Sequence, residues 1–182
     1  QQTAMKPVVV FYNPPATFSE QEWQEPMPLN VLACASLLDE TKYKILIIQG
    51  FPQKAKEKVA PFLEKIVFFG ISLMTGAQIT NGLEVAKWIK EKKPELSVVA
   101  GGYHPTALPE QTLENNFIDI VVRGYGEQTI AKLVEELANK QDWKNIKSIS
   151  FKDNGRIVHN PEEEIPDLNV LPPLPYHLLD IE

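Results

Sequence analysis

Five short apolar runs recur along the chain, and longer polar or helix-forming segments separate them. The runs cover residues 8–12, 43–48, 66–73, 96–100 and 118–122. Continuous apolar runs of this length are typical of strands that are covered on both faces. Neighbouring parallel strands need a crossover connection between them. The alternation therefore predicts a doubly wound α/β fold around a five-stranded parallel sheet in the flavodoxin-like order 2-1-3-4-5.

Helical patterns occupy most of the intervals. We expect helices over about 29–38, 54–63 and 77–92, a short helical turn near 109–115, and a last helix from Glu127. In that last helix the apolar residues from Ile130 to Leu137 follow the i, i+3, i+4, i+7 spacing of an amphipathic helix. In the first helix Leu29 and Leu32 are expected to face the sheet, and in the helix over 77–92 the expected stripe is Ile79, Leu83, Ala86 and Ile89.

The final segment has a different character. Residues 147–151 and 156–159 flank Asp153-Asn154-Gly155, which predicts a small β-hairpin appended to the sheet. Residues 161–182 are rich in proline and contain an acidic run at 162–164, a composition typical of an extended linker. We therefore expect an α/β domain over 6–160 and a linker over 161–182.

Composition narrows the class of protein. Lys and Arg total 18 against 24 Asp and Glu, so the formal charge of -6 offers no basic surplus to nucleic acid. The single cysteine, Cys34, cannot by itself form a disulfide or hold an iron–sulfur cluster, which fits a reducing cytoplasm. No run of about 18 apolar residues predicts a membrane span. We expect a cytoplasmic protein with Cys34 as a small core residue.

In an open doubly wound sheet, ligands bind beyond the carboxyl ends of the strands, where the strand order reverses. Four loops of this chain meet at that edge. The candidate cofactor-binding residues in them are Asn13, Pro14 and Pro15 after the first strand, Ser72, Leu73, Met74 and Thr75 after the third, Gly101, Gly102, Tyr103 and His104 after the fourth, and Gly124, Tyr125, Gly126 and Glu127 after the fifth.

The residue types in these loops disfavour two functions that are common in this fold, dinucleotide binding and phosphate acceptance. The first loop has no Gly-x-Gly-x-x-Gly, and its prolines offer no N–H to a phosphate, so a nicotinamide dinucleotide is not expected. Ser72 stands where a phospho-acceptor receiver needs an aspartate. Glycines at 101 and 102 would let a planar group approach the backbone, with hydroxyls at Ser72 and Thr75 beside it. This favours a large flat ligand, although a glycine pair can equally serve only to make a turn.

The three histidines show no pattern typical of a catalytic or metal site. No second histidine, cysteine or carboxylate lies at metal-ligand spacing from His104. His159 lies on the expected hairpin and His177 in the expected linker, where both are expected at the surface. We therefore assign no catalytic residue and no protein metal ligand.

Five motifs in order make this chain resemble the cobalamin-binding domain of cobalamin-dependent radical S-adenosylmethionine enzymes. They lie at 13–15, 70–72, 101–110, 122–127 and 165–176. The resemblance implies that the nucleotide tail of cobalamin enters a slot along the sheet near Ser72, Thr75 and the glycine pair, with Gly126 and Glu127 at its border. It also implies a radical domain in the same full-length chain, which would bind S-adenosylmethionine and a 4Fe-4S cluster; this sequence stops before any three-cysteine motif.

The resemblance also carries an expectation about cobalt. The Asp-x-His-x-x-Gly motif, whose histidine ligates cobalt in other cobalamin domains, does not occur in the sequence. We therefore expect base-off binding without a protein histidine on the metal. Tyr125 departs from the family, which often has an acidic residue there.

The function implied is that of a cofactor domain in a methyltransferase or a ring-forming enzyme, incomplete as a catalyst on its own. Two alternatives remain open at this point. One is a flavodoxin-like regulatory or docking module without a cofactor, and the other is a domain that binds another flat cofactor such as a flavin.

Overall fold

The strands of the computed structural model, which describes residues 5–165 and 167–179, form one sheet. They are β1 Val8–Asn13, β2 Lys44–Gln49, β3 Ile66–Ser72, β4 Val98–Gly101, β5 Ile120–Val122, β6 Ile149–Asp153 and β7 Arg156–His159. Strands β1 to β5 are parallel and lie in the order 2-1-3-4-5. This confirms the predicted order of the first five strands.

The hairpin of β6 and β7 belongs to the same sheet. β6 pairs antiparallel with β5, with Ser150 opposite Val121, and β7 pairs antiparallel with β6. The prediction of a five-stranded parallel sheet is therefore wrong in extent, because the sheet is mixed and has seven strands. Pairing with β6 satisfies the N–H and C=O groups that β5 would otherwise leave open at an edge. Phe151 of β6 is buried and packs edge-on against Trp143, with ring centroids 5.1 Å apart.

Helices cover both faces of the sheet. They are α1 Leu29–Ser36, α2 Pro52–Val59, α3 Ala77–Lys92, α4 Tyr103–Ala107, α5 Pro109–Glu114 and α6 Glu127–Ala138. α1 and α6 pack on one face, whereas α2, α3 and α5 pack on the other. The short helix α4 forms where we expected only a loop, and α2 gives way to a 3-10 turn from Ala60. Within the described ranges, no helix is long and apolar enough to cross a bilayer.

Two helices match the predicted apolar stripes only in part, since Leu32, Ala86 and Ile89 are buried as predicted but other positions differ. In α3, Gln78 and Asn81 are buried, while Ile79 and Leu83 are only partly buried. In α1, Leu29 is 51% exposed. A simple apolar stripe misses the arrangement of α3 because buried backbone carbonyls near its N-terminus need hydrogen-bond donors, and these two amides supply them.

Small residues lie on the α1–α6 face at the ends of the two central strands. The pairing register between β1 and β3 shifts once near the start of both strands. Beyond that shift Phe68 packs in the core under α1 and α6. Because strand side chains alternate, Gly70 and Ser72 lie on the same face. Gly101 follows Val99 by two residues and also lies there.

The segment after β7 returns to the folded domain at two places. The carboxylate of Glu163 lies 2.8 Å from Lys132 Nζ of α6. Farther along, a 3-10 turn at Tyr176–Leu178 brings His177 Nε2 to 2.9 Å from a carboxylate oxygen of Glu40. Residues 166 and 180–182 of the expected linker lie outside the described residues, and the linker assignment stays a prediction.

Replacing Phe151 tests whether the hairpin is an integral part of the sheet. We expect Phe151→Ala to lower the free energy of unfolding by about 3–5 kcal/mol, since the change removes a buried ring and leaves a cavity. Urea unfolding followed by circular dichroism measures this loss. Arg156→Ala, at an exposed position of the same hairpin, is the control and should change stability little. Unchanged stability in Phe151→Ala would mean that the hairpin is an independent appendage.

Candidate functional site

The loop after β1 is fixed by two buried amides of α3. Gln78 Nε2 donates to the carbonyl of Pro14 at 2.8 Å, and Asn81 Nδ2 donates to the carbonyl of Pro15 at 3.0 Å. Gln78 Oε1 also accepts the N–H of Met74 at 2.7 Å. One side chain thus joins the loops that follow β1 and β3. Our sequence reasoning missed both amides, although their three-residue spacing at the start of a helix was the available signal.

The rest of the β1–α1 connection is tied to β2. Asn13 is buried, and its Nδ2 donates to Gln49 Oε1 at 2.9 Å. Trp23 packs edge-on against Phe51 with ring centroids 5.7 Å apart. Asn13, Pro14 and Pro15 therefore lie behind the site with their side chains buried. The amide of Asn13 and the carbonyls of Pro14 and Pro15 are hydrogen-bonded within the fold. Direct contact between these residues and a ligand stays a prediction.

The ends of β3 and β4 meet backbone to backbone. The N–H of Leu73 donates to the carbonyl of Gly101 at 2.8 Å, and the N–H of His104 donates to the carbonyl of Leu73 at 3.3 Å. Gly102 has a φ of +106°, and a Cβ there would lie 2.6 Å from the Leu73 carbonyl oxygen. Close packing of these two backbone segments therefore requires glycine at 102, whatever ligand binds.

Gly101 has a different environment. A Cβ at this position would meet only the Val122 carbonyl oxygen, at 3.8 Å. Ser72 lies opposite Gly101 in the sheet, and its Oγ accepts a hydrogen bond from Asn30 Nδ2 of α1 at 2.9 Å. We call the partly exposed surface formed by Ser72 and Gly101 the Gly101 shelf. It offers open backbone and a hydroxyl on the α1–α6 face.

The first turn of α6 borders the shelf through Val122. A Cβ on Gly126 would lie 3.4 Å from Val122 Cγ1 and 3.7 Å from Cys34 Sγ of α1. Burial, with a smaller contribution from the Glu127 carboxylate, raises the pKa of the Cys34 thiol to about 12. The thiol is therefore protonated at neutral pH and is a poor nucleophile or metal ligand in that state. Glu127 Oε2 is buried and has no hydrogen-bond partner in the described part of the chain.

Exposed apolar side chains stand on the loops of the same edge. Met74 is 49% exposed, Tyr125 is 55% exposed and Tyr103 is 80% exposed. Large apolar groups that share one exposed surface mark a place where a ligand or another protein binds. Two surface pockets lie away from this edge. One of about 360 Å³ is beside the start of β2, and one of about 310 Å³ is beside the last turns of α6. The edge is thus an open surface rather than an enclosed cavity.

The remaining predicted residues also lie at this edge. Thr75 is exposed and His104 is partly exposed. Gly124 has a φ of +70°, and its N–H donates to Thr106 Oγ1 of α4 at 3.0 Å. The structure therefore brings the loops after β3, β4 and β5 to one surface, with Asn13, Pro14 and Pro15 buried behind it.

The two other histidines are exposed, as predicted. His159 Nε2 lies 3.2 Å from Glu110, and His177 lies beside Glu40 at the far side of β2. In residues 5–165 and 167–179, no group of three His, Cys, Asp or Glu side chains is placed to hold a metal ion.

Comparison with known proteins identifies the family. Residues 24–134, more than half of the chain, match the model of the B12 binding domain. The chain belongs to this family. Its cofactor is therefore cobalamin, and the matched residues include the shelf and the first turn of α6.

Curated relatives extend the comparison. An uncharacterised methyltransferase of Pyrococcus horikoshii is 32% identical over 160 residues, which cover 85% of this chain and 34% of the relative. The anaerobic magnesium-protoporphyrin IX monomethyl ester cyclase of a Synechocystis species is 27% identical over 171 residues, covering 89% of this chain and 34% of the cyclase. This chain spans about a third of the length of both relatives.

Solved structures share the fold. The radical S-adenosylmethionine methyltransferase TsrM of Kitasatospora setae, with cobalamin and a [4Fe-4S] cluster bound, superposes with a TM-score of 0.70 at 15% identity, over 87% of this chain and 29% of TsrM. The cobalamin-dependent S-adenosylmethionine radical enzyme OxsB, with aqua-cobalamin and S-adenosylmethionine bound, also gives 0.70, at 22% identity, over 88% of this chain and 23% of OxsB. The family match confirms the cobalamin-binding part of the resemblance drawn from the sequence motifs, and these neighbours show that the chain shares their fold.

The two neighbouring glycines should respond differently to alanine. We expect Gly102→Ala to lower the free energy of unfolding by about 1–3 kcal/mol, since the new Cβ meets the Leu73 backbone at a strained φ. Gly101→Ala should leave stability within about 0.5 kcal/mol of the parent, because its Cβ enters open space. Urea unfolding of both variants measures the difference, and equal losses would contradict these separate roles.

Proposed function

We propose that this chain holds cobalamin base-off, without a protein histidine on cobalt, as the cofactor domain of a radical S-adenosylmethionine enzyme. The nucleotide arm would enter beside the Gly101 shelf, and the corrin would lie over the loops after β3, β4 and β5. The observation that carries the proposal is the open backbone at Gly101, at the carboxyl ends of the parallel strands of a B12 binding domain. A Cβ at Gly101 would take up part of this open space.

Burial of the arm supplies a substantial part of the binding free energy. An aromatic group that buries about 150–250 Å² gains ~4–6 kcal/mol at ~25 cal/mol per Å². Micromolar binding needs about 8 kcal/mol. Hydroxyl and amide groups at Ser72, Asn30 and the neighbouring backbone can supply much of the remainder. Strong binding thus does not depend on a bond between the protein and cobalt.

The exposed edge favours a second covering layer. A corrin over Met74, Tyr103 and Tyr125 would have these side chains on one side only. The domain spans about a third of the curated relatives, one of which is a methyltransferase and the other a cyclase. We infer that a radical domain of the same full-length protein covers the other side and carries S-adenosylmethionine and a 4Fe-4S cluster. Residues 161–182 would form the connection to it.

The chemistry divides between the cofactor and the chain. Bound cobalamin supplies a cobalt centre for methyl transfer to an unactivated carbon or for a ring-forming reaction. The residues of this chain hold and orient the cofactor at the edge of a rigid sheet. Cys34 retains its proton at neutral pH, and neither it nor any other residue is assigned a bond to cobalt or a proton-transfer role.

Electron paramagnetic resonance tests the state of cobalt. The protein is loaded with hydroxocobalamin, desalted and reduced to the cobalt(II) state. We expect retained corrinoid with a base-off visible spectrum and no splitting from an axial nitrogen. Nitrogen splitting that is present in the wild-type spectrum and absent from that of His104→Ala would show a histidine on cobalt and contradict the proposal. A colourless desalted protein would support a docking module instead, and a yellow protein as purified would support a flavin domain.

A bulky side chain at Gly101 tests the position of the arm. We expect Gly101→Leu to lose at least 90% of the retained corrinoid, because its side chain fills the shelf. Visible absorbance after desalting measures retention. Ala60→Leu, an exposed position after α2, adds the same type of side chain away from the shelf and should retain corrinoid normally. Full retention by a folded Gly101→Leu protein would remove the shelf from the binding site.

A further inference from the structure

The first turn of α6 contains a carboxylate oxygen that the fold buries but does not satisfy. Glu127 Oε2 has no hydrogen-bond partner in the described part of the chain, although Glu127 as a whole is only partly buried. A buried acceptor without a donor is destabilising, and a charged one more so. Such a group in a native protein therefore needs an explanation, and a bound ligand is one.

Neighbouring side chains do not supply the missing donor. Cys34 carries a thiol, which is a weak hydrogen-bond donor, and the carboxylate acts on it mainly by making its ionisation harder. Arg123 lies only four residues away, and its Nε is also buried without a hydrogen-bond partner in the described residues. Its Nη2, however, donates to the carbonyls of Ile149 and Asn160 beside the hairpin, and its ion pair is with Glu162. The guanidinium therefore faces the hairpin and forms no ion pair with Glu127.

The first turn of α6, which carries Glu127, lies beside the surface assigned to the cofactor. Gly126, the residue before Glu127, approaches Val122, and the open space over Gly101 is limited by the carbonyl of the same Val122. Cobalamin offers N–H donors on the amide side chains of the corrin and an O–H donor on its nucleotide arm. Both kinds of donor could reach a carboxylate at this border.

We propose that Glu127 Oε2 accepts a hydrogen bond from an O–H or N–H group of bound cobalamin. This inference rests on the proposed function and assigns one polar contact within it. The same oxygen makes the ligand-free protein less stable than it could be, because its desolvation is uncompensated until cobalamin binds. Affinity for cobalamin and stability of the ligand-free domain should therefore change in opposite directions when the carboxylate is replaced.

Two measurements on Glu127→Leu and Glu127→Gln test the contact. For Glu127→Leu we expect the Kd for hydroxocobalamin, measured by absorbance titration, to rise at least tenfold, which corresponds to about 1.4 kcal/mol. Glu127→Gln should show a smaller rise, since its amide oxygen is a neutral acceptor. The urea midpoint of both ligand-free variants should equal or exceed that of wild type. A residue with a purely structural role would lower the midpoint as well as the affinity.

Cobinamide, which lacks the nucleotide arm, distinguishes the two donors. If the donor belongs to the arm, Glu127→Leu weakens cobalamin and leaves cobinamide unchanged. If the donor is a corrin amide, both ligands weaken by the same factor. Glu136→Gln, which removes a charge from the last turns of the same helix, is the control and should bind cobalamin like wild type.

The inference and the proposed function fail in different ways. A Kd of Glu127→Leu within twofold of wild type would overturn the contact while leaving cobalamin binding intact. A lowered urea midpoint in both Glu127 variants would also overturn it, because the carboxylate would then have a partner in the ligand-free fold. Failure of wild type itself to retain cobalamin would instead overturn the proposed function.

Discussion

The contact between the backbones of Leu73 and Gly102 sets the geometry of the whole edge. It brings the loops after β3 and β4 within hydrogen-bond distance, and it leaves no room for a side chain at Gly102. With that junction closed, the last paired residues of the two central strands, Ser72 and Gly101, lie side by side on the α1–α6 face. The surface that we propose for the cofactor follows from this close approach.

Buried amides support the junction from the opposite face. Gln78 joins the loop after β1 to the loop after β3 by accepting from Met74 and donating to Pro14. A proline-rich loop has few N–H donors of its own and depends on side chains to satisfy its carbonyls. The polar groups behind the site are thus satisfied within the fold, whereas Glu127 Oε2, without a partner among the described residues, belongs to the turn that we propose as the border of the cofactor site. Binding sites commonly accept such a local loss of stability in exchange for function.

Much of the fold could be predicted because each prediction depends on short-range pattern. Continuous apolar strands and the helical spacing in α6 both report local preferences and burial. The errors concern partners that are distant in sequence. Leu29 looked like a core residue from its helix alone, yet the sheet beneath α1 leaves it exposed. The hairpin was predicted only as an appendage of a five-stranded sheet, because nothing local indicates that β6 pairs with β5, 27 positions or more away.

The features of the candidate site also divide into those that the sequence predicts and those that depend on distant contacts. The sequence by itself determined that four loops meet at one edge, because parallel strands place their carboxyl ends together, and it determined the motifs of the cobalamin-binding family. Only the tertiary structure decided that Gly102 is needed for packing while Gly101 is open, that Asn13, Pro14 and Pro15 are buried, and that Glu127 Oε2 has no hydrogen-bond donor among the described residues. The physical reason is that steric clearance and hydrogen-bond satisfaction depend on atoms brought together from different loops, and adjacent glycines carry no local mark of which atoms those are.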